Sequence, residues 1–309
     1  MTATTPQIDH LILLVSTADF LHPPTWLSDN FTIIEGGVHS RGTSRNKLII
    51  FKDGIYIELF NWIDDPYRDG RPNDHADFPG WAQKPEGSFI DFALTGEGED
   101  VAQQTHRNLS AALSRLDPSN NLPVVYDEPQ SGGRKRVDGT TLQWQTTRPH
   151  YQSVTASNSN ARLDLPFFCH DVTPRDLRVP RADDKITSHP CGATGVAEIT
   201  IQVPASEFGS YLRLYHAVMG MHDLDHETAL ANGGVVFEIG VPRAEVNGGY
   251  SSYLTLQSEG RGEPEIEEFY KNSTIGIRQI ELFARGVDVE EKPLSADGLG
   301  QFIVLRGID

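Results

Sequence analysis

The chain has 309 residues, 38% of them hydrophobic and 22% charged, which excludes an intrinsically disordered protein and leaves apolar material for one large domain or two to three smaller units. A formal net charge of −17 at pH 7 sets a repulsive field against phosphate, so neither nucleic acid nor an anionic membrane surface is an expected partner. Two cysteines, Cys169 and Cys191, make no disulfide framework, no window approaches about 18 consecutive apolar residues, and no apolar secretory core opens the sequence, so a cytoplasmic protein is expected.

The first element is Gln7–Val15 (QIDHLILLV). As a strand it places Ile8, His10, Ile12 and Leu14 on one face and Leu11, Leu13 and Val15 on the other, so it is expected to be buried on both sides with His10 inside. A short helix is expected near Pro24–Asp29, because Pro23 and Pro24 suit a first helical turn. A β-type run at Phe31–Glu35 is stopped by Gly36-Gly37, and Gly36–Asn46 reads as a loop. Strands at Lys47–Phe51 and Ile55–Trp62 flank the turn Lys52-Asp53-Gly54, and Asp64–Glu86 reads as a long surface loop.

Ser88–Thr95 (SFIDFALT) repeats the first strand with Asp91 where His10 stood. A helix follows over Glu99–Leu116, with Val101, Leu109, Ala112, Leu113 and Leu116 at near-helical spacing. Strands come next at Val124–Tyr126, Thr141–Thr146 and Leu163–His170, with loops at Gln130–Val137 and His150–Ala161. Val172–Pro190 is polar and punctuated by proline, and reads as a linker. Ala193–Val203 (ATGVAEITIQV) repeats the strand again with Glu198 in the polar place, and Gly276–Ala284 does so with Gln279. Between and after them a helix is expected over Ser206–Met219, a shorter one near Glu263–Tyr270, and strands at Val235–Val241, Tyr253–Ser258 and Gln301–Arg306.

One polar group at a fixed place in a recurring apolar strand marks a repeated module. The order strand, helix, three strands runs over 7–62 and again over 88–170. The fold class expected is therefore α+β: tandem βαβββ modules within 1–172, packed as pseudo-symmetric halves of a half-open barrel. A linker over 173–190 follows, then a third, partial module over 191–309 with a structural or dimer-forming role. The first and last strands of each module face the cleft of such a barrel, and they carry His10, Glu58, Asp91 and His170. Two imidazoles and two carboxylates suit one divalent ion, Zn, Ni, Fe or Mn, with positions left open for substrate. Glu58, between Ile57 and Leu59, otherwise needs a cation or a proton. His39, Arg41, Thr43, Arg45 and Asn46 offer donors to an oxygen-rich small molecule, and Arg134 offers charge to a carboxylate or phosphate. Trp62, Trp81, Trp144, Phe167 and Phe168 are candidates for an apolar lining.

These segments carry a resemblance. IDHLILLV, GGVHSRGTSRNKLIIFKDGIYIELFNW, GGRKRVDGTTLQWQTTRP, LPFFCHD and HPCGATGVAEITIQVP resemble the glyoxalase-like domain branch of the vicinal oxygen chelate superfamily, over roughly the N-terminal two thirds of the chain and more loosely beyond. The resemblance implies the glyoxalase/bleomycin-resistance/dihydroxybiphenyl dioxygenase fold. It implies a metal held on the first and fourth strands of each module, at His10, Glu58, Asp91 and His170. It also implies lyase or isomerase chemistry on a substrate with vicinal oxygens, Glu58 acting as general base on a C–H beside a carbonyl. Two further readings stay open: an extradiol-type, iron-dependent ring-cleaving dioxygenase, and a metal-free protein that binds or sequesters a small molecule in the same cleft. The partners expected are a small-molecule substrate and, as a homodimer, a second copy of the chain.

Overall fold

The computed structural model of the chain describes residues 6–63, 81, 84–117, 119, 122–151, 165–220, 226–260, 276–287, 292–295 and 302–308. Most of the expected loops at 64–86 and 150–161, and all of the expected helix near 263–270, lie outside the described residues. In the first module β1 (Gln7–Leu14) leads through the short helices α1 (Thr17–Leu21) and α2 (Thr25–Ser28) to β2 (Ile34–His39), β3 (Ser44–Ile50) and β4 (Tyr56–Trp62). Ser16 starts α1 by accepting the Asp19 backbone N–H. The second module comprises β5 (Ser88–Thr95), α3 (Val101–Leu113), β6 (Val124–Tyr126), β7 (Gln130–Lys135), β8 (Thr141–Thr147), β9 (Pro149–Tyr151) and β10 (Phe167–Asp171). Of these, β6 and β9 pair with each other as a separate ribbon.

The remaining eight strands close a barrel in the order β1-β4-β3-β2-β7-β8-β10-β5. In each half the first strand runs parallel to the last, and the last antiparallel to its hairpin neighbour. The halves meet along the antiparallel β1–β5 ladder and again at β2–β7, where Val38 pairs with Lys135 and His39 with Arg134. That second seam corrects the half-open form expected from the sequence. It exists because both glycine-rich stretches, read as loops, are hairpin strands. A Cβ on Gly132 would lie 2.4 Å from the Trp144 Nε1, so glycine there makes room for an indole on the neighbouring strand rather than a turn. In the first module the turn is confined to Ser40–Thr43, between β2 and β3.

The connecting segment is built into the barrel. It forms α4 (Arg175–Arg178) and α5 (Asp184–Thr187), and Arg178, Thr187 and His189 are buried. His189 donates from Nε2 to the Ile50 carbonyl (3.1 Å) and accepts the Thr32 N–H at Nδ1 (3.2 Å), and burial pushes its pKa down to about 4.

Beyond it, β11 (Ala193–Val203), α6 (Phe208–Met219), α7 (His226–Asn232), β12 (Gly234–Ile239), β13 (Ser252–Ser258), β14 (Gly276–Arg285), β15 (Lys292–Pro293) and β16 (Ile303–Ile308) complete the chain. Their strands form a six-stranded sheet, β12-β13-β11-β14-β16-β15. Order and strand directions repeat β3-β4-β1-β5-β10-β8 of the barrel, with no counterparts of β2 and β7 among the described residues. Among the described residues the region thus repeats the strand order of two shortened modules, and its sheet is open.

One apolar cluster joins the two sheets, running from Ile8, Leu11 and Leu13 through Leu109 on α3 to Tyr211 and Tyr215 on α6. A second, with Ile12, Phe60, Trp81, Phe167 and Cys169, lies on the inner side of the barrel. Among the described residues no helix is long and apolar enough to cross a membrane.

Candidate binding site

Strand alternation decides what the barrel holds. His10 and Ile12 of β1, Tyr56, Glu58 and Phe60 of β4, and Phe167 and Cys169 of β10 turn inward onto a cavity of about 380 Å³. Of the residues expected to contact substrate, His39, Arg41, Thr43, Asn46 and Arg134 line this cavity, while Arg45 lies over the Phe20 ring and bonds to Asn61 instead. Trp81, Trp144 and Phe167 line it as well; Trp62 and Phe168, the other aromatics considered, do not.

His10 and Glu58 face each other across it, with Nε2 3.6 Å from Oε2. The His10 ring is fixed from behind. It stacks on Tyr56 with centroids 4.7 Å apart, and its Nδ1–H donates to Asp9 Oδ2 at 2.6 Å. A shift in the β1–β5 ladder between Ile8 and His10 takes Asp9 out of register and frees its carboxylate for this bond. Asp9 in turn accepts two hydrogen bonds from Arg178 (2.8 and 2.9 Å) and one from Arg175. Burial alone would raise the Asp9 carboxyl, but the two guanidiniums and the His10 bond outweigh it and hold it well below the usual range. Arg178 also donates to Asp171 and to the Tyr56 hydroxyl, so the clamp ties α4 and β10 to β1 and β4.

Glu58 is satisfied without a bonded cation of lysine or arginine. Its Oε1 accepts Asn46 Nδ2–H at 2.7 Å and lies 3.3 Å from His39 Nε2, while His39 Nδ1 is hydrogen-bonded to the Ser44 hydroxyl at 2.9 Å. Burial on its own would raise the Glu58 carboxyl; the His39 bond and charge, the charge of His10 and the Asn46 bond overcome this and bring it to about 2. Asn46 passes the arrangement on, its Oδ1 accepting Arg134 Nη1–H at 2.8 Å. Gly36 makes that pairing possible, since a Cβ there would lie 2.0 Å from Asn46 Oδ1 and 2.5 Å from Arg134 Nη1.

The other two expected metal ligands stand elsewhere. On β10, Phe168 and His170 share the outer face, and Cys169 takes the inward place. His170 lies under the approach to α3, where a Cβ on Gly96 would come within 3.9 Å of its Cε1, and burial pushes its pKa down to about 4. Asp91 is buried beside a shift in the β1–β5 ladder, accepting the Trp81 indole N–H and the Phe92 backbone N–H, each at 2.8 Å. Neither residue lines the cavity. Among the described residues no three His, Cys, Asp or Glu gather closely enough to hold a metal ion. The four-ligand centre expected from the sequence is therefore not assembled; His10 and His39 approach opposite oxygens of Glu58, each already bound to a neighbour, and these groups are not gathered closely enough to fit a resident divalent ion.

Four residues of the site escaped the sequence reading. Asp9 stands next to His10, Cys169 follows from strict alternation along Phe167–His170, and Arg175 and Arg178 have the spacing of one helical turn. Only the fold brings the last pair to Asp9. Burial pushes the Cys169 thiol above its ordinary range, so it packs as a small apolar group.

Comparison with known proteins agrees with this architecture. The sequence profile of a glyoxalase-like domain matches residues 8–213, more than half of the chain. The crystal structure of a hypothetical protein from Staphylococcus aureus has the same fold, with a TM-score of 0.61 at 11% identity over 98% of this chain and 99% of that one. A mutant of 4-hydroxymandelate synthase from Streptomyces coelicolor aligns with a TM-score of 0.45 at 11% identity, covering 91% of this chain and 72% of that one. A xylose isomerase-like TIM barrel/4-hydroxyphenylpyruvate dioxygenase fusion protein aligns at 0.40 and 14%, covering 93% and 37%. No curated protein matches the sequence. The closed barrel of paired modules and the matched profile together place the chain in the glyoxalase-like domain family of the vicinal oxygen chelate superfamily.

Proposed function

We propose that the barrel cavity binds a small, oxygen-rich molecule through side chains alone, without a resident metal ion. The observation that carries this reading is the division of the expected residues: His39, Arg41, Thr43, Asn46 and Arg134 line one cavity with His10 and Glu58, while Asp91 and His170 do not. Hydrogen-bond donors and aromatic faces are what such a cavity offers to adjacent ligand oxygens. The lyase, isomerase and ring-cleaving readings each rest on a metal with at least three protein ligands, and the geometry supports them less well.

Proton transfer to or from the bound molecule is favoured by one further feature. Asp9 orients the His10 ring so that Nε2 faces the cavity, an arrangement suited to acid–base chemistry. In this reading His10 exchanges the proton and Glu58, expected from the sequence to be the base, orients instead. A carboxylate at about 2 is a weak base toward a C–H bond.

Trp81 and Trp144 line the cavity, so intrinsic fluorescence reports its occupancy. The full chain, treated with EDTA, is titrated with compounds bearing adjacent oxygens: dihydroxyacetone, pyruvate and catechol. Saturable quenching by at least one is expected without added metal; for neutral dihydroxyacetone or catechol, whose hydroxyls would donate to the carboxylate, it is weakened roughly tenfold in Glu58→Gln, where a charge-assisted bond becomes a neutral one. Quenching that develops only after Zn, Ni, Fe or Mn ions are restored overturns the reading.

A further inference from the structure

Arg134 is the feature of the cavity that the binding arrangement leaves unbalanced. It stands on β7 with 4% of its surface exposed, while Lys135 beside it is exposed and Arg136 donates outward to the Leu177 carbonyl. Its guanidinium gives one hydrogen bond to Asn46 and a long one, 3.5 Å, to the Arg178 carbonyl, and its buried Nε has no partner. It forms no ion pair among the described residues; Asn46 stands between it and the Glu58 carboxylate.

The contrast with Arg178 is instructive. Both guanidiniums line the cavity, but Arg178 is matched by Asp9 and Asp171. Folding buries Arg134 without a matching carboxylate, a costly state for a group that stays charged. Arg41 and Arg148 also line the cavity, Arg148 lying over the rings of Phe167 (4.3 Å) and Trp81 (5.0 Å). Among the described residues the carboxylates lining the cavity are Glu58 and Asp127, and Asp127 is paired with His150 at 3.2 Å. The buried Arg134 guanidinium acts locally inside a chain of net charge −17, since long-range repulsion of an anion is screened beyond about 8 Å at physiological salt.

We propose that the cavity's ligand is an anion, a small molecule whose carboxylate or phosphate oxygens take Arg134 as their counter-ion. This rests on the reading that the cavity binds an oxygen-rich molecule, and adds its charge. A planar guanidinium matches two oxygens of such a group at once, and Gly36 leaves the space in which Arg134 and Asn46 stay aligned.

The test is the thermal unfolding midpoint of the full chain at constant ionic strength, with chloride replaced by oxalate, pyruvate or inorganic phosphate. Concentrations stay on the order of millimolar, below the range in which salts stabilise by exclusion. At least one oxyanion is expected to raise the wild-type midpoint saturably, and Arg134→Gln to lose the rise. Arg134→Lys, which keeps the charge without the fork, is expected to retain a smaller one. The proposal is overturned if no oxyanion raises the wild-type midpoint, a result that does not depend on the variants folding, or if Arg134→Gln responds as wild type does. Protection by neutral dihydroxyacetone alone removes the charge assignment and leaves the binding reading standing; protection by neither class removes both.

Discussion

At the scale of single residues, the site turns on Asp9, a fully buried carboxylate shared by His10, Arg175 and Arg178. Asp9→Asn leaves two guanidiniums facing a neutral amide, and removing one partner of a buried ionic cluster costs about 3–5 kcal/mol. Urea denaturation is expected to show a loss of that size. Glu58 gives a separate signature in pH. Its carboxyl sits at about 2 in the folded protein against an ordinary 4.5, so the stability it contributes is fully present above about 4.5 and is lost as pH falls toward about 2. The stability difference between wild type and Glu58→Gln is therefore expected to shrink through that window when unfolding is followed as a function of pH. A difference that stays constant from pH 7 to pH 2 contradicts the charged, hydrogen-bonded state described for Glu58.

At the scale of elements, β10 separates the binding reading from the metal reading. His170→Leu is expected to leave ligand-dependent fluorescence unchanged, because the ring it removes lies on the outer face; Cys169→Phe, on the inner face, is expected to abolish it by filling the cavity. The recurring apolar strands were legible in the sequence because β1, β5 and β11 are buried on both faces and read as near-continuous hydrophobic runs. His10 and Glu58 were legible for the same reason, as polar interruptions of such runs. Asp91 was misplaced because a ladder shift beside it breaks the alternation, and His170 because one step along a strand exchanges faces. Most of β2 and all of β7 were hidden by their glycines, which resemble turn signals but serve close packing. Gly36→Ala is accordingly expected to push Asn46 and Arg134 apart, lowering stability by about 1–3 kcal/mol and weakening ligand binding with it.

At the scale of the whole molecule, the barrel and the open sheet are held together by one buried acid as well as by a shared core. Asp53, in the β3–β4 turn, accepts the Ile55 N–H within the barrel and the Val196 N–H of β11, both at 2.9 Å. A Cβ on Gly195 would lie 2.2 Å from its Oδ2, so that glycine admits the carboxylate. Burial raises the Asp53 carboxyl to about 6 against the pull of these donors. Because its folded value exceeds the ordinary 3.8, Asp53 makes the protein gain stability as pH falls from about 6 to about 4, by roughly 3 kcal/mol, the opposite sense to Glu58. Asp53→Asn is expected to flatten stability against pH across that window. In the metal-free reading, His10 and Glu58 serve a ligand rather than a resident ion. Elemental analysis of the full chain as purified tests this most directly. Zinc, nickel, iron and manganese are each expected well below one equivalent per chain and unchanged in His10→Ala and Glu58→Gln; a full equivalent of any of them, lost in both variants, contradicts it.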